Sequence, residues 1–301
     1  MLQAAAMDQA GRSMAFLDVG LGARSVGLGN AYTALATDSH AVHMNPAGMV
    51  FGKPFQASSM QTKMASELDV YYIGAIFQDM PLPQKSEEPA TSAWGIYWVN
   101  GTLGEIPLVT ANAEGVTQNT DVKPSDYFSY QAHAIGLSYA SWWMPNLAYG
   151  LTVTGVYQAF DKVGGGKGGG LSLTPGLLWM PNPGLSVGFV IRDIWSYHKW
   201  ETGNVEQVLP ELRLGIGSVI DTWVLGLEGR QYMDSRYSPT FHVGVEYIGL
   251  DFFRFRVGRD ADRLTAGCGL YAGPIDVQYA YVGDVSEGIG DSHRIGFGVG
   301  F

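Results

Sequence analysis

Lys167 sits inside Gly164-Gly165-Gly166-Lys167-Gly168-Gly169-Gly170, a glycine-lysine run of the kind that cradles phosphate. A phosphate loop needs Ser or Thr directly after the lysine and then a helix. Here Gly168 and a strand pattern follow, so the run reads as a surface loop. The Gly20–Gly29 stretch misses the dinucleotide fingerprint too, because Ser25 stands where the third glycine belongs. His40 and His43 are three residues apart, with no acidic or cysteine partners to complete a metal-ligand set. His133, His242 and His293 lie on or beside strand-like segments, and nothing marks a serine nucleophile near them. The lone cysteine, Cys268, excludes a disulfide framework and a cysteine zinc site. No catalytic residue, metal or cofactor is expected, and the chain reads as non-enzymatic.

The charged residues that remain follow a different logic. Arg213, Glu228, Arg230, Glu246, Arg254 and Arg256 fall on the polar phase of segments that alternate strictly with large apolar residues. Arg294-Ile295-Gly296-Phe297-Gly298-Val299-Gly300-Phe301 is the clearest such segment. A period of two is the mark of a strand with one face in an apolar medium. Composition chooses the medium. Charged residues make up 15% of the chain against roughly 25% in ordinary soluble domains. Only seven lysines occur, five of them in loop-like stretches, whereas soluble sheets use lysine to blunt their edges. Glycine is abundant at 41 residues, and 12% aromatic with 46% hydrophobic content excludes disorder. There is no apolar run of 18 residues to form a membrane helix. A net charge of −10 argues against nucleic acid as a partner.

Fourteen strands are read, at 55–64, 69–79, 92–100, 127–142, 147–160, 168–179, 184–193, 209–220, 222–232, 239–248, 250–259, 262–272, 274–283 and 292–301. Bacterial single-chain membrane barrels have an even strand count, short turns at one end and long loops at the other. Tight turns fall at 144–146, 180–183, 221, 248–249 and 273. Longer links fall at 101–126, 161–167, 194–208, 233–238 and 284–291. The expected fold is therefore all-β: a fourteen-stranded antiparallel transmembrane barrel, residues 55–301, in the bacterial outer membrane. On that reading the six charged residues form a paired lumen network, since arginine at mid-depth on the lipid face costs about 2–4 kcal/mol. Trp142, Trp143, Trp179, Tyr247 and Tyr281 suit interfacial girdles. A fourteen-strand barrel is too wide to fill with strand side chains alone, so residues 1–54 are expected to form a hatch inside it. Met1 to Ala6 has neither the basic start nor the apolar run of a leader. The expectation is a mature or late-started numbering, because a barrel requires export.

Phe16-Leu17-Asp18-Val19-Gly20-Leu21-Gly22-Ala23-Arg24, then Gly27-Leu28-Gly29-Asn30-Ala31-Tyr32, then Asn45-Pro46-Ala47-Gly48-Met49 resemble the signature of PorV/PorQ-type outer-membrane proteins. These sit within the FadL-like barrel superfamily. Leu209-Pro210-Glu211-Leu212-Arg213-Leu214-Gly215 and the closing strand resemble that group's C-terminal half. The resemblance implies a fourteen-stranded barrel whose hatch is marked by Gly27, Gly29, Asn30, Asn45, Pro46, Ala47 and Gly48. It implies a role in type IX protein secretion or surface assembly, with outer-membrane lipid and a protein of that system as partners. The alternative is FadL-like uptake of hydrophobic small molecules such as long-chain fatty acids. A secretion partner requires an exposed surface, for which Trp195, Tyr197 and Trp200 are the contact candidates. A transporter requires an apolar pocket between hatch and wall. Phe301, closing the last strand, is expected to act as the assembly signal.

Overall fold

The computed structural model describes residues 13–64, 68–79, 91–108, 126–283 and 291–301. Its strands are β1 (Phe55–Met64), β2 (Leu68–Gln78), β3 (Ser92–Leu108), β4 (Asp126–Met144), β5 (Leu147–Phe160) and β6 (Lys167–Asn182). Next, β7 has two arms, Leu185–Arg192 and Trp195–Trp200, and β8 has two, Val205–Glu206 and Glu211–Ile220. Then follow β9 (Trp223–Tyr232), β10 (Thr240–Tyr247), β11 (Phe253–Asp260), β12 (Arg263–Ala272), β13 (Ile275–Val282) and β14 (Ser292–Gly300). Each pairs antiparallel with its sequence neighbours, and β1 pairs with β14, from Gln56 opposite Gly300 to Met64 opposite Ser292. The result is a closed barrel of fourteen strands with no free edge.

Alternation has the polarity of a membrane wall. Leu214, Phe241, Val257 and Phe297 are 55%, 66%, 60% and 56% exposed on the outer face. Glu228, Glu246, Arg256 and Arg294 are buried on the inner one. A water-soluble sandwich would reverse this arrangement, because it hides its apolar face. Only lipid outside rewards this one.

Two strands run further than periodicity suggests. The wall includes 101–108, read above as loop, as the outer part of β3. It also includes 195–200, as the second arm of β7. In both places turn-like residues interrupt the pattern without ending the ladder. Pro107 still pairs opposite Tyr127 beyond a bulge at Leu103/Ile106. Asp193, at φ 52, kinks β7 and the strand then resumes against β6. The rest of the expected 101–126 loop, 109–125, lies outside the described residues. The tryptophan pair divides as well. Trp143 faces outward, whereas Trp142 is half-buried against Phe51 with ring centroids 4.6 Å apart.

Residues 13–54 run through the lumen, from Ser13 at the loop end to Lys53 beside Gly300 at the turn end. They form short helical turns only: Ala15–Leu17, α1 (Ala23–Gly27), α2 (Ala41–Met44) and Pro46–Phe51. They approach the wall most closely where the wall is glycine. Gly150 and Gly176 are paired across β5 and β6, Gly188 and Gly215 across β7 and β8. Gly217, Gly226, Gly244 and Gly258 form a second row across β8, β9, β10 and β11. A Cβ on Gly188 would lie 2.3 Å from the Thr33 carbonyl oxygen, and one on Gly244 2.3 Å from that of Leu28. Much of the glycine content is thus explained by close backbone approach.

Candidate functional site

The lumen holds two regions of opposite character on either side of the N-terminal segment. Toward β8–β13 the segment is clamped by charge. Glu246 sits between two guanidinium groups: Arg24 Nη2 donates to it at 2.7 Å, and Arg256 Nε at 2.7 Å. Glu228 accepts from the backbone N–H groups of Tyr32 (2.9 Å) and Thr33 (2.8 Å), and from Arg230 Nε at 2.7 Å. Arg230 Nη2 in turn donates to the Asn30 carbonyl at 2.6 Å. Asp260 accepts from Asn30 Nδ2 and Arg263 Nη2, each at 2.9 Å, and lies 2.9 Å from His242 Nδ1. Buried charges persist only when paired and hydrogen-bonded, and here each carboxylate is shared between segment and wall.

Four of the six charged residues read from sequence, Glu228, Arg230, Glu246 and Arg256, belong to this clamp. Arg213 lies on the same face but pairs within its own strand, with Glu211 at 2.5 Å. Arg254 stacks on the Tyr271 ring, 4.0 Å from its centroid. Periodicity missed the segment's own contributions. Arg24, Tyr32 and Asp38 form a chain in which Arg24 donates to the Tyr32 hydroxyl at 3.0 Å and that hydroxyl donates to Asp38. Burial alone would push the Asp38 carboxyl up; His40, Arg24 and the Tyr32 hydroxyl outweigh it and hold it well below its usual range. Burial, reinforced by Arg192 and Arg213, pushes the His43 imidazole down, which keeps it neutral.

The signature residues hold the segment's own shape. Asn45 donates from Nδ2 to the carbonyls of Thr33 (2.8 Å) and Leu177 (3.0 Å), while its Oδ1 caps the next turn at Ala47 N. Pro46 and Ala47 pack on Gly150, and Gly27 on Gly267. Gly29, at φ 63, lies where a Cβ would come 2.5 Å from the Arg259 carbonyl oxygen. Neighbouring Asn30 is left-handed too, at φ 57.

Toward β3–β7 the packing is looser. A small gap lies between segment and wall, lined by Leu17, His43, Tyr97, Thr152, Thr154, Ser172, Thr174, Arg192 and Asp193. Its free interior, about 10 Å³, holds roughly one water. This gap is not the apolar pocket expected of a transporter: its lining is mostly hydroxyl, and no acyl chain fits in it. Among the described residues, a long interruption of the wall lies beside this gap. Arg192 is paired opposite Glu211, and His198 opposite Glu206. Between them only the Ser196 side chain ties the strands, accepting from Val208 N at 2.8 Å and donating to Val208 O at 3.2 Å.

The three contact candidates do not share a surface. Trp195 and Tyr197 point outward to lipid, whereas Trp200 is on the lumen phase. There it donates from Nε1 to Glu206 at 3.0 Å and packs 4.7 Å from His198. Phe301 ends at the turn end. Its N–H donates to the Phe55 carbonyl at 3.0 Å, and its ring lies 5.1 Å from that of Phe55.

A closed barrel with a lipid-facing apolar exterior and a threaded lumen is a transmembrane barrel of the outer-membrane type. More particularly, its fold is FadL-like. The P. putida toluene transporter TodX matches with a TM-score of 0.63 at 10% sequence identity, over 94% of this chain and 99% of that one. A Pseudomonas aeruginosa FadL homologue matches with a TM-score of 0.52 at 11% identity, over 89% and 94%. No protein-family model matches the sequence, and the comparison with curated proteins gives no match.

Proposed function

We propose that the chain is a non-enzymatic outer-membrane channel for small, largely hydrophobic molecules, with residues 1–54 as its hatch. The observation that carries this reading is the juxtaposition of the lumen gap with the interrupted β7–β8 ladder, at Arg192 and Asp193. Beside the gap the wall is held by one serine rather than by backbone. Support comes from the fold shared with a toluene transporter and a FadL homologue.

The secretion-partner reading lacks a comparable observation. Trp195 and Tyr197 are turned to lipid, where outward aromatics are accounted for as a membrane girdle.

The test is uptake of labelled toluene at low concentration by cells with an intact lipopolysaccharide barrier. Cells expressing the chain should take it up faster than cells without it, and saturably. Equal rates in the two would remove the channel reading.

A further inference from the structure

We propose that the outward face of β6 and β7, at the loop end, is a docking site for lipid A, the phosphorylated glycolipid of the outer leaflet. The inference needs only the outer-membrane setting and stands apart from the channel reading. Its first support is the placing of charge. Among the described wall residues in register, the outward phase carries the cations Lys63, Lys167, Lys199 and Arg259 against one carboxylate, Asp69, in a chain of net charge −10. All four cations lie near the loop end, which is the extracellular side of a bacterial barrel. There they stand level with the headgroups of the outer leaflet.

Lys167 and Lys199 are side by side. Lys199 is opposite Gly169, two residues along β6 from Lys167, a diagonal separation of about 7–8 Å. Both are exposed, and neither has an ion pair or a side-chain hydrogen bond among the described residues. Lys162, in the adjoining turn, is by contrast neutralised by Asp126 at 3.0 Å. Like charges placed this way repel, and an anion between them removes the repulsion. Lipid A supplies that anion in either of its phosphates.

The second support is the surface below the lysines. Toward mid-membrane the outward phase continues with Leu171 opposite Tyr197 and Leu173 opposite Trp195. On the other flank, β5 sets Tyr157 opposite Gly169 and Gly155 opposite Leu171. The two glycines leave backbone bare. A Cβ on Gly169 would meet only the Val156 carbonyl oxygen, at 3.3 Å, and one on Gly155 nothing nearer than 3.7 Å. They form a shallow diagonal dip between the exposed side chains of Tyr157 and Leu171. An acyl chain lies in this dip while its phosphate rests on the two ammonium groups.

The test is native mass spectrometry of the full chain, purified from the outer membrane, stripped of lipid in mild detergent and titrated with bis-phosphoryl lipid A or with phosphatidylglycerol. The natural chain should retain a single lipid A where phosphatidylglycerol is lost. Lys167→Gln with Lys199→Gln should weaken lipid A binding about thirtyfold, the scale of two lysines at an anionic surface. Lys63→Gln with Arg259→Gln, elsewhere on the rim, should leave it nearly unchanged. Heat-modifiable migration on a detergent gel checks assembly; if the first variant is not assembled, Gly169→Leu, which fills the dip without altering charge, replaces it with the same direction of change. Binding unmoved by the assembled variant, equal losses from both double variants, or equal retention of phosphatidylglycerol would overturn the site. Displacement of lipid A by millimolar inorganic phosphate would overturn it too, because phosphate alone would then be the ligand.

Discussion

At the scale of single residues, the clamp works by sharing Glu228, Glu246 and Asp260 each between segment and wall. Glu246 is fully buried and neutralises Arg24 of the segment and Arg256 of the wall at once. Replacing it by glutamine leaves the buried Arg256 and the half-buried Arg24 short of charge. Loss of one partner of a buried pair typically costs about 3–5 kcal/mol. Glu246→Gln should therefore lower the temperature at which the barrel loses its fast-migrating gel form, and by more than Arg259→Gln on the exposed outer phase. Asp38 gives a pH dependence. Its carboxyl is depressed in the folded state, so its contribution is complete above the ordinary value of 3.8 and is lost only as pH falls below it. Trypsin protection at Arg24 should hold from pH 8 to 5 in the natural chain. In Asp38→Asn it should weaken across that whole range, as probed by mass mapping of the fragments. The wall half of this network was legible, because period two forces Arg213, Glu228, Arg230, Glu246, Arg254 and Arg256 inward. The segment half was not. Arg24 and Asp38 sit in short turns with no period to say which way they point.

At the scale of elements, glycine decides where backbone meets backbone. The row through Gly226, Gly244 and Gly258 leaves a smooth track for residues 28–31. Gly244→Val places a Cβ 2.3 Å from a carbonyl oxygen. The barrel should still close, because β10 keeps its ladder, while the segment is pushed off its seat. The expected readout is new tryptic cleavage at Arg24 in an assembled barrel; unchanged protection would contradict the packing account. Sequence showed the glycines as the polar phase of strands but not that they form rows, since that depends on register between strands. It likewise missed the continuation of β7. Asp193 and the residues around it resemble a loop start locally, and only pairing of 195–200 with β6 keeps the wall intact.

At the scale of the whole molecule, closure joins the first strand to the last. Phe55 and Phe301 exchange two backbone hydrogen bonds, at 3.1 and 3.0 Å, at the seam. Deleting Phe301 removes them along with an aromatic terminus. Assembled barrel in the membrane should fall at unchanged synthesis, measured by the ratio of heat-modifiable to total protein. Fold class was readable from alternation alone, because a barrel imposes one rule on every strand. The gap was not: its liners are Thr, Ser and Tyr residues from separate strands that only closure and the threaded segment bring together. On the proposed channel reading, cargo leaves the lumen at the β7–β8 break. The direct measurement is toluene uptake by cells carrying Ser196→Cys with Val208→Cys, before and after reduction. These positions are already bridged by a side-chain hydrogen bond of 2.8 Å, so an oxidised pair would lock the break. Uptake should fall to the level of cells without the chain when the pair is oxidised and return on reduction. Uptake that is the same in both states, with the disulfide shown to be formed, would contradict it.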